Sequence, residues 1–105
     1  MESITTDELK KKILDHSPVH IVDVRTDEET ATGIIPDATT IPMDQIPDNL
    51  NEFNENDTYY FVCAAGVRSG RVVEYLNQHK PEVHAVNVEG GMNAWGDEGL
   101  EIDSI

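Results

Sequence analysis

Cys63 is the only cysteine of the chain, and Ala64-Ala65-Gly66-Val67-Arg68-Ser69 follow it. These residue types at this spacing suit a nucleophilic thiolate. A free thiol ionises with a pKa near 8.5, and the thiolate is the reactive form. Ala64, Ala65 and Gly66 carry little or no side chain, so the backbone can wrap closely and turn N–H groups onto an anion. Arg68, five residues on, brings a permanent positive charge toward the same centre. A depressed pKa and a nucleophilic sulfur are expected at Cys63. Taken alone, a cysteine after an apolar run reads as a small buried hydrophobe; the Gly and Arg behind it turn the reading toward chemistry.

The elements around the loop are those that would hold it. Thr58-Tyr59-Tyr60-Phe61-Val62 is β-branched and aromatic, a buried strand. From Arg68 onward Val72, Val73 and Leu76 recur at helical spacing, and the helix runs to about His79, before Pro81. Strand, small-residue turn and helix start together make an anion cradle. Val19 to Val24 is a near-continuous apolar run, as expected of a parallel strand covered on both faces. Asp23 and Arg25 stand at its C-terminal end, where open α/β sheets place their sites. A buried Asp is costly unless paired, so Asp23 is expected to anchor loops. Arg25 is either a second anion contact or a partner of Asp23 or Glu29, with structural pairing preferred.

Elsewhere, Thr5 and Glu8 form a capping-box pattern opening a helix, with Ile4 and Leu9 placed as its hydrophobic staple. Lys10-Lys11-Lys12 lie largely off the apolar stripe and read as a solvated face. Thr26 to Thr32 is a short helical candidate, and Ala38 to Ile41 a short strand. Met43, Ile46, Leu50 and Phe53 recur at about helical spacing, with Pro47 suited to a first helical position; residues 49–57 read as a surface loop. Val83 to Val88 is the last strand. Gly90-Gly91 makes a turn, Met92 to Trp95 a short helix with its Trp in the core, and the tail from Gly99 carries no motif.

Three segments resemble the rhodanese-like sulfurtransferases. CAAGVRS is similar to that family's CxxGxRS loop. Ile21-Val22-Asp23-Val24-Arg25 with Glu28-Glu29 and Gly33-Ile34-Ile35-Pro36-Asp37-Ala38 resembles its DVR…EE…GHIPGA signature, and Gly90-Gly91-Met92-Asn93-Ala94-Trp95 its GG-[apolar]-x-AW segment. Thr30, Ile34 and Asp37 depart from that pattern, where an aromatic, a His and a Gly are usual. The departures bear on local packing and turn geometry. The resemblance implies an α/β fold with a central, mostly parallel sheet of about five strands and helices on both faces, as a single domain over residues 1–105. It also implies a mechanism. Cys63 takes the outer sulfur of a sulfane donor as a persulfide and hands it to a thiophilic acceptor, with no organic cofactor and no metal. The loop residues Ala64, Ala65, Gly66, Val67, Arg68 and Ser69 would bind the anion, Arg68 stabilising the charge or orienting the donor.

Composition bounds the partners. Twenty-one Asp and Glu against 7 Lys and Arg give a net charge of −14, which argues against nucleic acid and anionic membranes and reads chiefly as solubility. The partners that the resemblance implies are a small-molecule sulfur donor (thiosulfate, polysulfide or persulfide), a thiol or cyanide-type acceptor, and a protein persulfide. One cysteine excludes an internal disulfide and suits a reducing compartment. With no apolar run near the roughly 18 residues of a membrane span and no leader pattern, a cytoplasmic monomer is expected. His16, His20, His79 and His84 lack metal-ligand spacing, and none is placed as a base for Cys63. Arg71, one turn into the helix, is expected to be exposed and at most a rim contact.

A cysteine-dependent phosphatase or arsenate reductase shares the logic of thiolate, amide cradle and arginine. Phosphatase loops, however, set cysteine and arginine one residue further apart than the four that separate Cys63 from Arg68. The loop also carries no acid to protonate a leaving group. A non-catalytic sulfur carrier or a redox-sensing module is the other alternative; with one cysteine, any resolving thiol must come from outside.

Overall fold

The structure, a computed structural model, describes residues 1–104. Five strands, β1 (Ser3–Ile4), β2 (His20–Asp23), β3 (Thr39–Thr40), β4 (Thr58–Val62) and β5 (His84–Val88), form one sheet. Their order is β1-β5-β4-β2-β3, and every neighbouring pair is parallel. The helices are α1 (Thr6–Leu14), α2 (Asp27–Thr30), α3 (Val67–His79) and α4 (Gly91–Asp97). This is the expected rhodanese-like α/β architecture, with a sheet parallel throughout.

Alternation along the strands divides the core in two. Val22, Tyr59, Phe61 and Ala85 face one side, against Val72, Val73 and Leu76 of α3 and against Ile46 and Phe53. Ile21, Tyr60, Val62 and Val86 face the other, against Leu9 of α1 and Trp95 of α4. Phe61 and Val62 are wholly buried, each contributing about 1.5–3 kcal/mol relative to exposure. The chain winds outward from β2 to β3 on one side and from β4 to β5 on the other. The crevice between the C-terminal ends of β2 and β4 is therefore the switch point at which open α/β sheets bind ligands.

Several elements differ in detail from the sequence expectation. β1 is a two-residue edge strand paired with β5 (Ser3 opposite Asn87), too short to leave a periodic pattern. The Thr5–Glu8 capping box forms as expected, both backbone bonds at 3.1 Å. The segment with helical spacing after Pro42 is two 3₁₀ turns, Met43–Gln45 and Pro47–Glu52, not an α-helix. Asn49, at φ −119°, breaks the second, and Pro47 has no N–H to donate back. Residues 49–52, expected in a loop, belong to that turn. Phe53 then packs edge-on against Tyr59 and Phe61, with centroids 5.1 and 5.6 Å away.

The departures from the family pattern are accommodated locally. Asp37 sits in the left-handed region, φ 67°, which Asp tolerates better than most residues. Thr30 is buried and its hydroxyl donates to the Asp27 carbonyl at 3.2 Å. Ile34 is buried, and its backbone exchanges hydrogen bonds with Asp103 at 2.9 and 2.7 Å. The tail is thus pinned, and Trp95 Nε1 donates to the Glu101 carbonyl at 2.8 Å. Among the described residues no helix is long and apolar enough to cross a membrane.

Candidate active site

Cys63 is the first residue beyond β4, on the same side of the sheet as α3, and is 1% exposed. Gly66 ends the loop at φ 98° and acts as N-cap of α3, a conformation in which Cβ-bearing residues are strained. Its N–H donates to Cys63 Sγ at 3.1 Å. The Ser69 hydroxyl, one turn into α3, reaches the same sulfur at 3.3 Å. Burial pushes the thiol up. The Ser69 hydroxyl, then the amides of Ser69, Gly66 and Ala65, favour the anion, and the balance lies below the ordinary value. The sulfur also stands at the positive end of α3, which favours negative charge. The shift expected from the sequence is therefore present, set by the hydroxyl and the amides.

A second tier of contacts fixes this tier. Asn87, buried in β5, accepts from the Ser69 hydroxyl at 2.5 Å and donates to the Gly66 carbonyl at 3.1 Å. The carbonyls of Cys63 and Ala64 accept from the N–H groups of Met92 and Asn93 at 2.8 and 2.9 Å. This stacks the loop on the first turn of α4. A Cβ at Gly91 would collide with the Cys63 carbonyl oxygen and approach that of Ala64 to 2.7 Å, so the contact requires glycine. The sequence pattern marks neither Asn87 nor Gly91 as a site residue. For Asn87 the available signal is one amide between Val86 and Val88; buried polar groups need a partner.

Arg68, expected to face the sulfur, is also held by a carboxylate. Its guanidinium holds Glu29 of α2 through two bonds, Nη1 to Oε1 at 2.6 Å and Nη2 to Oε2 at 2.8 Å. Glu29 also accepts from Thr26 N–H and hydroxyl, both at 3.1 Å, as the third residue of a capping box. The Arg68 hydrogen bonds hold the Glu29 carboxyl down to about 2. Glu29 in turn raises Arg68, and Cys63 adds to this more weakly. Arg68 thus feels the sulfur but arrives with its charge already countered. The reason is geometric: a planar fork matches a carboxylate in two places, and α2 presents one.

Asp23 and Arg25 form a buried pair, 0% and 6% exposed. Asp23 accepts from Arg25 N–H at 3.0 Å and from its Nη2 at 2.8 Å, and Nη2 also donates to the Gly33 carbonyl at 2.7 Å. Of the roles open to Arg25, structural pairing with Asp23 is the one realised. The pair ties the end of β2 to the loop before Ile34. Of the remaining loop residues, Ala64 is half-buried, while Ala65 and Val67 are exposed, and Val67 starts α3. Arg71 is exposed, as expected.

His20 and His84 open β2 and β5, at the end of the sheet opposite Cys63. A cleft of about 490 Å³ between His20, Tyr59 and Asp37 also lies at that end, away from Cys63. Among the described residues no group of three or more His, Cys, Asp and Glu is arranged to hold a metal ion.

Comparison with known proteins agrees with the fold. The family model for the rhodanese-like domain matches residues 5–98. YtwF of Bacillus subtilis (strain 168) is 41% identical over 95 residues, covering 90% of both chains. A protein of Allochromatium vinosum named sulfurtransferase is 34% identical over 102 residues, covering 97% of this chain and 94% of the relative. The crystal structure of a rhodanese-like domain protein from Staphylococcus aureus superposes with a TM-score of 0.88 at 70% identity, covering 99% of this chain and all of the other.

Proposed function

Because this chain belongs to the rhodanese-like domain family, we propose that it is a sulfurtransferase that carries sulfane sulfur as a persulfide on Cys63. The observation that carries the reading is the donor set on one sulfur: Gly66 N–H at 3.1 Å and the Ser69 hydroxyl at 3.3 Å, in a loop with small side chains at the switch point of the sheet. Donors aimed at a sulfur anion favour the thiolate before attack and stabilise the persulfide after it.

In the proposed reaction the Cys63 thiolate attacks the outer sulfur of the donor. A bond forms between Sγ and that sulfur, the donor's S–S bond breaks, and the leaving group departs with the electron pair. A small thiol or cyanide then attacks the outer sulfur of the Cys63 persulfide and regenerates the thiolate. Ala64, Ala65, Gly66, Val67, Arg68 and Ser69 bound the anion, with Gly66 and Ser69 in direct contact. Asp23 and Arg25 support the site indirectly, by tying the end of β2 to the loop before Ile34.

The test is the intact mass of the protein after incubation with thiosulfate or glutathione persulfide, beside Cys63→Ser. A gain of about 32 Da, removed by reductant and absent from the mutant, is the expected result. Turnover of an aryl phosphate with no sulfur adduct would move the assignment to a phosphatase.

A further inference from the structure

The two arginines that the sequence brings toward the site, Arg25 and Arg68, are both committed. Arg25 is closed on Asp23 and the Gly33 carbonyl, and Arg68 is closed on Glu29. A small dianionic donor therefore meets no free positive charge in the loop, and it approaches a chain of net charge −14. Arg71 is different. It lies three residues after Arg68 on α3, about 4.5 Å further along the axis. It is exposed, and it takes part in none of the ion pairs among the described residues.

At the foot of Arg71 is an apolar recess of about 190 Å³, walled by Met43, Ile46, Pro47, Val72 and Tyr75. Ile46 and Val72 belong to the same packed cluster as Cys63, with Met43 and Tyr75 packed against it. Met43 N–H bonds the Val24 carbonyl at 3.0 Å, and Val24 N–H bonds the Val62 carbonyl at 2.9 Å. These bonds place Met43, one wall of the recess, at the end of the sheet where Cys63 stands. Its volume is below the roughly 300 Å³ of pockets for drug-sized ligands, and fits the carbon body of a small metabolite.

We propose that this recess, with Arg71 at its rim, is the subsite for an organic persulfide donor, whose carbon body it receives and whose carboxylate Arg71 pairs. The inference rests on the sulfurtransferase reading and narrows it to a donor class. The Cys63 thiolate attacks the outer sulfur of R–S–SH. The S–S bond of the donor breaks, Cys63 holds S–SH, and RS⁻ leaves with the electron pair and takes a proton from solvent. Thiosulfate has no carbon body to place in the recess and reaches only the loop.

The experiment measures kcat/KM for loading Cys63 from glutathione persulfide, from the persulfide of glutathione diethyl ester, which has no carboxylate, and from thiosulfate. The wild type should prefer glutathione persulfide to thiosulfate by at least about tenfold, the scale of one charge-assisted contact. Arg71→Gln should lower the ratio of acid to ester by a similar factor, and Arg71→Lys should restore part of it. Equal loading by thiosulfate would overturn the donor assignment while leaving the sulfurtransferase standing. A loss in Arg71→Gln shared by acid and ester, or no change in their ratio, would overturn the role of Arg71. Loading by no donor at all would remove both readings together.

Discussion

The Ser69 hydroxyl has one hydrogen and two claimants, Cys63 Sγ at 3.3 Å and Asn87 Oδ1 at 2.5 Å. With the sulfur protonated, the hydroxyl can donate to Asn87 and accept from the thiol; with the sulfur ionised, the anion competes for the same hydrogen. Burial raises the thiol and Ser69 offers the largest opposing contribution. Ser69→Ala should therefore raise the Cys63 pKa. Since the thiolate reacts, loading rises with pH through that pKa, and the half-maximal point should move upward in the mutant. Loading at neutral pH should fall roughly tenfold, as expected for a hydrogen bond to a charged group. Thiolate absorbance followed against pH, together with the pH–rate profile, checks both. An unmoved titration would mean that the amides alone hold the sulfur. Cys63→Ser should lose transfer entirely with the fold kept, because a hydroxyl at the same place ionises far less readily than a thiol.

Between elements, the Glu29–Arg68 pair ties the start of α2 to the start of α3. Glu29 is held at about 2 against an ordinary 4.5. A group lowered on folding stabilises the native state fully above its unfolded value and loses that contribution as pH falls through the folded one. Unfolding midpoints in urea should therefore drop between about pH 4.5 and 2, and Glu29→Gln should flatten part of that slope. Surface exposure and salt keep the effect modest. Gly91→Ala is a sharper lesion: the added Cβ meets the Cys63 and Ala64 carbonyl oxygens at a residue with φ 54°. A loss of about 2–4 kcal/mol is expected, with the cysteine loop displaced, read by denaturant unfolding and by thiol reactivity. The sequence places these elements unevenly. β2, β4, β5 and α3 are legible because their apolar patterns are long and turn residues (Pro18, the Asn-rich run before Thr58, Pro81, Gly66, Gly90) bound them. The Cys63 loop was legible because its residue types have one shared use. The partner of Arg68 was not, since Glu29 lies thirty-nine positions away and three acids in a row, Asp27, Glu28 and Glu29, do not say which one turns inward. The 3₁₀ turns look like a helix in the sequence because a spacing of three to four fits both.

At the scale of the molecule, topology and charge act in opposite senses on the same reaction. The parallel order β1-β5-β4-β2-β3 gathers the ends of β2 and β4 with the start of α3, so these three segments meet at one site. That convergence could be anticipated from strand and helix alternation, whereas the pinning of the tail at Ile34 could not, because a single isolated bridge leaves no pattern. The charge of −14, by contrast, surrounds the site with repulsion for anions. The radius of gyration is 12.5 Å. A Debye length of about 30 Å at 0.01 M salt spans the whole chain, while about 8 Å at 0.15 M does not. At low salt, then, a thiosulfate dianion is repelled by nearly the full net charge; at physiological salt it senses mainly the loop. Raising ionic strength from about 0.01 to 0.15 M should increase kcat/KM for thiosulfate several-fold, and should barely alter that for the persulfide of glutathione diethyl ester. Stopped-flow loading of Cys63 at a series of salt concentrations makes the comparison. A thiosulfate rate that falls with salt would mean that Arg68, despite Glu29, gives the loop a positive potential strong enough to govern the approach of the donor.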